Sequence, residues 1–299
     1  MKWRRGILVC ALIVVGVVIF GFVSNYRSEP RYKGRSLSAW LRIYQRHESA
    51  DDRREEAAEA VRHIGTNAIP YFLADLSYEQ PSWRRKVSLE ASRSPWAFRA
   101  WVSLMEARDR RGQAELGFGI LGPVATPAVP KLVSMMQDSR LSDTAAIALW
   151  QIGRPALPGV VAALTNRANP ARQRMAAAWA LSLMGTNANE TVSVLVGCLE
   201  DKQDASVAAS ACYALGNVVI DPETVIPVLT NALLASDLEL RLTAIESLGN
   251  LGPRGKSAIP SLQNCLRDEN PGIRNHASNA LDRIDQKVPP ELERFLPTR

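Results

Sequence analysis

The chain has 299 residues, 46% hydrophobic and 22% charged, a composition that supports a packed core and excludes disorder throughout. Its net charge of +6 invites a nucleic-acid interpretation, but residues 114–299 carry 16 basic and 18 acidic side chains, against 20 and 12 in residues 1–113. The positive charge therefore lies near the N-terminal apolar segment, where anionic lipid headgroups are its simplest partner.

The N-terminus combines a short basic tail, residues 1–5, with an uncharged run of 18 residues at 6–23, GILVCALIVVGVVIFGFV. At about 1.5 Å per residue, this run nearly spans a hydrocarbon core of about 30 Å. A cleaved signal peptide is the alternative, but its apolar part is usually about 7–15 residues, and Phe22-Val23-Ser24 is a poor cleavage site. We predict a transmembrane helix or uncleaved signal anchor.

The orientation of this single-pass segment is nearly balanced, because basic residues flank it on both sides. Long domains are translocated with little regard to charge. We therefore expect the remainder of the chain on the outer, extracytoplasmic side.

Residues 24–35 are polar, contain Pro30 and Gly34, and are predicted to be a linker. A helix follows with Ser36 or Ser38 as its N-cap. Its helically spaced apolar residues predict a buried stripe of Leu37, Trp40, Leu41 and Tyr44. This helix either lies on the membrane or caps the open end of a helical stack, and we favour the cap.

Internal repetition is the strongest feature of the sequence. Helical runs end at glycines, namely Gly65, Gly122, Gly153, Gly185, Gly216 and Gly252, with spacings of 31, 32, 31 and 36 residues from Gly122 onward. Second helices are predicted to start at Pro70, Pro130, Pro158, Pro227 and Pro260, with Ser193 in the place of the proline in the fourth repeat. Glycine past a helix end adopts the left-handed conformation, and proline suits a helix start, so the pattern predicts helical hairpins.

The second helices share an apolar pair two and six residues after the proline, or after Ser193. The pairs are Phe72 and Leu76, Leu132 and Met136, Val160 and Leu164, Leu195 and Leu199, Leu229 and Leu233, and Leu262 and Leu266. Residues one turn apart share a face of a helix. No single hairpin can bury such a face, so the hairpins are expected to stack.

This pattern resembles the HEAT-repeat superfamily over about residues 53–76 and 114–285. The best match runs from Ala258 to Arg274, where Asp268 and Arg274 fit the Asp–Arg ladder of such repeats. Thr144 and Val207 stand where the arginine would be in two other repeats. The resemblance implies an all-α fold, a right-handed α-α superhelix of about six hairpins. These are an earlier first repeat and the repeat array at residues 114–287, which a C-terminal tail at 288–299 follows.

Residues 36–113 combine the capping helices and first repeat with an irregular basic–aromatic insertion at 77–113. Aromatic packing is its plainest interpretation. Contact with lipid headgroups or with a nucleic-acid strand stays open. If the chain contacts a membrane surface beside its apolar segment, we expect the contacts to be Trp3, Arg31, Lys33, Trp83, Arg84 and Arg85.

The residues predict no catalytic group, cofactor or metal site. A single His47-Glu48 pair cannot supply the several His-Glu pairs with which HEAT-like hydroxylases of the deoxyhypusine type hold two irons, and no residue indicates a bilin site like that of phycobilin lyases. The four cysteines are interpreted as small buried apolar residues, with a Cys198–Cys212 disulfide left open.

In solenoids of this kind the second helices line the concave face. There we predict partner contacts by Lys131, Ser134, Met135, Asn231 and Asn264, and a protein or peptide as the partner in the groove. The sequence thus favours a non-catalytic, membrane-anchored protein-interaction scaffold. Alternatives are a lyase-like or hydroxylase-like enzyme on the same fold and, less favoured, a nucleic-acid-binding solenoid.

Overall fold

The computed structural model describes residues 29–46, 51–78, 110–200, 204–218 and 221–284. They fall into two compact units, Met1–Tyr71 and Phe72–Arg299. The predicted basic tail, the apolar segment 6–23, the tail 288–299 and nearly all of the insertion lie outside the described residues. The expectations about those segments stay predictions.

Within the described residues, the first unit starts with a small antiparallel hairpin where the sequence predicted a linker. Strand β1 is Arg31–Tyr32 and strand β2 is Arg35–Ser36. The two residues between them, Lys33 and Gly34, have φ of 46° and 77°. A two-residue turn with both φ positive matches the twist of paired strands, which explains why a Lys-Gly dipeptide closes the hairpin here.

Helix α1, Leu37–Gln45, packs on helix α2, Asp51–Ile64, within the first unit. The predicted stripe is confirmed, since Leu37, Trp40 and Leu41 are at most 3% exposed, although Tyr44 is only half-buried. Neither candidate serine caps α1 through its side chain. The carboxylate of Glu29 accepts the Ser38 backbone N–H at 3.1 Å instead, which places a negative charge at the helix N-terminus.

A helical hairpin is the recurring element of the remaining chain. Helix α3, Ile69–Leu76, follows α2. The later helices are α4 Arg110–Leu121, α5 Val129–Met135, α6 Ser142–Ile152, α7 Leu157–Thr165, α8 Ala171–Met184, α9 Val192–Glu200, α10 Ala205–Val218, α11 Ile226–Ala232, α12 Leu238–Asn250, α13 Ile259–Cys265 and α14 Pro271–Arg283. Short 3₁₀ segments join the two helices of each hairpin.

The hairpins of the second unit stack through their first helices, which pack consecutively in the order α4, α6, α8, α10, α12 and α14. Second helices α5, α7 and α9 form another row, and every second helix from α5 to α13 packs on the first helix of the following hairpin. The predicted stacking of all-α hairpins is therefore confirmed.

The glycines, prolines and apolar pairs of the repeats lie largely where the sequence predicted. Gly65, Gly122, Gly153, Gly185 and Gly252 have φ between 50° and 79°. At Gly153 and Gly185, ψ is −148° and −140°, so these two have the positive φ that glycine permits but not the left-handed α conformation that was predicted. Each proline is the second residue of its α-helix, because a 3₁₀ turn leads into it. The predicted apolar positions are at most 5% exposed, except for half-buried Leu199.

The helix end predicted at Gly216 is wrong. It lies buried inside α10, which continues to Val218, and its φ is not positive. A Cβ on Gly216 would lie 2.9 Å from the Ser247 Cα, and one on Gly249 would lie 2.9 Å from the Ala280 Cα. These two glycines allow neighbouring first helices to approach closely, and taking Gly216 for a helix end made the predicted spacings irregular.

One described stretch, Arg110–Met135, is long and apolar enough to cross a membrane by length and composition alone. In the structure it comprises α4, a 3₁₀ segment and α5. Gly122, with a φ of 50°, ends α4, and the 3₁₀ segment Gly122–Ala128 separates it from α5. This stretch is therefore a hairpin of the repeat stack.

Candidate functional site

The second helices present a regular exposed stripe. The residue four positions after the proline, or after Ser193, is exposed in the second helices α5, α7, α9, α11 and α13, whereas Ala74 in α3 is half-buried. The residue one position earlier is half-exposed. We call these two sets the second-helix surface: Ser134, Ala162, Gly197, Asn231 and Asn264, with Val133, Val161, Val196, Thr230 and Gln263.

The next residue along each helix is buried, which corrects the predicted groove. Met135, Ala163, Cys198, Ala232 and Cys265 are between 3% and 8% exposed. One residue turns an α-helix by about 100°, so the fifth position points toward the neighbouring hairpin while the fourth faces solvent. Met135, which the sequence placed in the groove, is therefore part of the core, and the second-helix surface consists of the third and fourth positions.

Four of the five predicted partner contacts lie on the surface. Lys131, Ser134, Asn231 and Asn264 are exposed. Met135 is 5% exposed and belongs to the core, so it is not available to a partner. The Ser134 hydroxyl donates to the Lys131 carbonyl at 2.7 Å, which satisfies it within its own helix.

Charged side chains are scarce along the second helices. Helices α7, α11 and α13 contain no Asp, Glu, Lys or Arg, and α5 contains only Lys131. Valines and residues with side-chain amides make up most of the second-helix surface. Such a surface suits contact with a polypeptide, because valine supplies apolar area and amides both donate and accept hydrogen bonds.

Arginines tie the hairpins together at the start of the first helices. Arg174 Nε donates to the Leu164 carbonyl at 2.9 Å, and Arg241 Nε donates to the Leu233 carbonyl at 2.9 Å. Both are the fourth residue of their helix and reach the C-terminal end of the preceding second helix, where a cation is favourable. Neither contact was predicted from the sequence, although both arginines occupy the same position of the repeat.

In the predicted Asp268–Arg274 ladder pair, the arginine donates to backbone carbonyls. Arg274 Nη1 donates to the backbone carbonyls of Asp268 and Glu269, both at 2.8 Å. The side-chain partner of Asp268 is Arg241. Burial would raise the pKa of Asp268, but the Asn270 backbone N–H and the two guanidinium groups hold it below its ordinary value.

The cysteines in the described residues are free and buried, so a Cys198–Cys212 disulfide is wrong. Burial raises the pKa of the Cys212 thiol to about 12, partly offset by the Ser247 hydroxyl. Burial also raises the pKa of Cys265, while Arg241 lowers it and Asp268 raises it further. The Cys212 and Cys265 thiols stay protonated at neutral pH and are poor nucleophiles.

The two described histidines are exposed on helices. The His63 ring lies 4.3 Å from the Tyr32 ring, centroid to centroid, and His276 Nδ1 lies 2.9 Å from the Gly272 carbonyl oxygen. Within residues 29–46, 51–78, 110–200, 204–218 and 221–284, no group of three or more His, Cys, Asp or Glu could hold a metal ion.

The predicted membrane-surface residues are only partly described. Arg31 and Lys33 are exposed on the β1–β2 hairpin. Trp3, Trp83, Arg84 and Arg85 lie outside the described residues, as does His47.

Comparison of the sequence with protein families gives a match to HEAT repeats over residues 129–216 and 226–298. The matched residues cover more than half of the chain and include most of the stacked hairpins. No curated protein matches the sequence.

Several solved structures are similar at low identity. Human deoxyhypusine hydroxylase is 18% identical, with 83% of this chain and 96% of that one covered and a TM-score of 0.37. The CpcE–CpcF complex of phycocyanin lyase from Nostoc sp. PCC7120 is 19% identical, with coverages of 89% and 95% and a TM-score of 0.37.

The karyopherin Kap121p is 14% identical with a TM-score of 0.46, and the alignment covers 86% of this chain and 30% of Kap121p. We draw no functional argument from these three likenesses, because both the identities and the scores are low.

Proposed function

We propose that this chain, which belongs to the HEAT-repeat family, is a non-catalytic scaffold that binds a protein or peptide on its second-helix surface and is held at a membrane by residues 6–23. The observation that carries the binding proposal is the regular exposure of the fourth position in successive second helices. Residues on both sides of that position along the helix are buried or half-buried.

The chemistry of this surface favours a polypeptide partner. Ala162 and Gly197 leave room for close approach, and Val133, Val161 and Val196 offer half-exposed apolar area. Asn231, Asn264 and Gln263 add amides that can pair with a backbone. In a right-handed superhelix these helices would line the concave side, where a partner buries the most surface.

The membrane part of the proposal rests on the sequence. Residues 6–23 contain no charged side chain and are long enough to approach a bilayer span. We propose a single pass with the repeats on the extracytoplasmic side. Resistance of the protein to alkaline extraction from membranes, lost when residues 6–23 are deleted, is the expected result, and extraction of the intact chain would contradict it.

The binding proposal is tested by blocking the surface without disturbing the fold. Tryptophan in place of Ala162 would fill the second-helix surface, while the exposed position of Ala162 keeps the core unchanged. Asn279→Trp is the matched control, since Asn279 is exposed on α14, a first helix.

The readout is the set of proteins captured from solubilised membranes by each full-length variant. We expect Ala162→Trp to lose the partner and Asn279→Trp to keep it. Capture of the same partners by both variants would reject the second-helix surface as the binding site. A stoichiometric metal or chromophore in the purified protein would reject the non-catalytic assignment.

A further inference from the structure

Three basic side chains are exposed together on the β1–β2 hairpin. Arg31 lies in β1, Lys33 in the turn and Arg35 in β2. Among the described residues, neither Arg31 nor Arg35 forms an ion pair. Lys33 Nζ lies 3.9 Å from Glu56 Oε1, and its side chain remains 57% exposed. We call these three residues the basic hairpin surface.

The hairpin is fixed to the first unit rather than loosely attached. The Tyr32 carbonyl accepts a hydrogen bond from Trp40 Nε1 at 3.1 Å, and the Tyr32 ring packs against His63. The Arg35 guanidinium stacks 5.0 Å from the Trp40 ring centroid. Trp40 is 1% exposed, so the basic groups are anchored to a buried side chain.

Charge is segregated along the first unit. Residues 29–46 contain five basic residues and one acidic residue, Glu29, whose carboxylate already accepts the Ser38 N–H. Helix α2 has the opposite balance, with five acidic and three basic residues. The hairpin end of the unit is therefore the part that would be attracted to an anionic surface.

The position of the hairpin in the chain supplies such a surface. Seven residues separate Val23, the last of the apolar segment, from Arg31. Even fully extended, they reach at most about 28 Å, so an inserted segment keeps the hairpin near the headgroups. Basic residues beside a membrane span are attracted to anionic lipids within about one Debye length, about 8 Å at physiological salt.

We propose that the basic hairpin surface binds anionic phospholipid headgroups and so docks the first unit on the bilayer from which the chain emerges. This inference rests on the membrane anchoring proposed above. It adds a second contact with the bilayer, at named side chains, with a lipid preference that an apolar anchor alone would not give.

The test uses the full-length protein in nanodiscs of phosphatidylcholine, with and without added phosphatidylglycerol. Hydrogen–deuterium exchange is followed in peptides covering residues 29–46. We expect slower exchange in the anionic discs, by about fivefold or more, and loss of the difference at high salt. Equal exchange in the two lipids would overturn the proposal.

Two triple variants make the test specific. The variant R31Q/K33Q/R35Q is expected to exchange equally in both lipids. The matched control R53Q/R54Q/R62Q removes the same charge from exposed positions of α2 and is expected to keep the difference. If both variants lose the difference equally, general charge rather than the hairpin is responsible, and the proposal fails.

Two further outcomes are decisive. Protection by a single-stranded oligonucleotide in phosphatidylcholine discs, without protection by phosphatidylglycerol, would assign the surface to nucleic acid and reject the lipid proposal. If the chain does not insert into the discs, the anchoring fails separately. Sedimentation of the full chain with phosphatidylglycerol vesicles then decides, and absence of binding there would overturn the hairpin proposal as well.

Discussion

The Arg241 guanidinium forms an ion pair with the Asp268 carboxylate, which ties the first turn of α12 to the loop between α13 and α14. Both side chains are mostly buried, at 24% and 20% exposed. Arg241 also holds the Leu233 carbonyl, and Arg274 holds the Asp268 carbonyl from the other side. This network connects two successive hairpin junctions, α11–α12 and α13–α14, so its loss should weaken the stack.

Replacing Asp268 with alanine is expected to lower the free energy of unfolding by about 1–3 kcal/mol, because it leaves a largely buried guanidinium without its charged acceptor. Urea unfolding of the full chain measures the change. Arg154→Ala is the control, since the Arg154–Glu190 pair is 69% and 57% exposed. We expect it to cost less than about 1 kcal/mol. Similar losses in both variants would contradict a special role for the buried pair.

Stability should also depend on pH through Asp268. Its pKa is lower in the folded protein than the ordinary value of 3.8, so its contribution is present above that value and is lost as pH falls through the folded pKa. The stability advantage of the natural protein over Asp268→Asn should therefore be full at neutral pH and shrink below about pH 4. Urea unfolding of both proteins over this range measures it, and an advantage that grew on acidification would contradict the assignment.

Two glycine-to-alanine substitutions should have opposite effects on stability. Gly197 lies inside α9, and a Cβ there would meet no atom within 4 Å. Gly197→Ala is therefore expected to raise the free energy of unfolding by about 0.5–1 kcal/mol, because alanine favours helix. Gly216→Ala is expected to lower it by about 1–3 kcal/mol, since its Cβ would approach the Ser247 backbone. Thermal and urea unfolding of both variants check the sign, and two changes of the same sign would refute this view of the packing.

The buried thiols should resist modification in the folded protein. Cys198, Cys212 and Cys265 are free and buried, and the pKa of Cys212 is raised to about 12. In a Cys10→Ser variant, a thiol reagent at neutral pH is expected to label none of the three until urea unfolds the chain, because the reactive thiolate is disfavoured. Labelling is counted by mass spectrometry. Rapid reaction of Cys212 in native buffer would contradict its burial.

Much of the hairpin architecture could be predicted because its signals act within one or two turns of the chain. A glycine such as Gly153 ends a helix through its own φ, and a proline such as Pro158 favours the start of the next one. Apolar residues four apart, such as Leu132 and Met136, lie on one face wherever the helix forms. The sequence determined the repeat, its apolar pairs and most of its boundaries for this reason.

Contacts between residues far apart in the chain depended on the packed structure. Gly216 and Gly153 are the same residue type near helix ends, yet only the distance to Ser247 shows that Gly216 serves helix packing. Met135 and Ser134 are neighbours in sequence, but the packed structure buries Met135 and leaves Ser134 exposed. The Asp268 carboxylate pairs with Arg241, 27 residues away, while the nearer Arg274 donates to the Asp268 backbone carbonyl. Local chemistry thus fixed which segments form helices, whereas tertiary packing decided which side chains face a partner, because burial depends on the neighbouring hairpin and not on the residue itself.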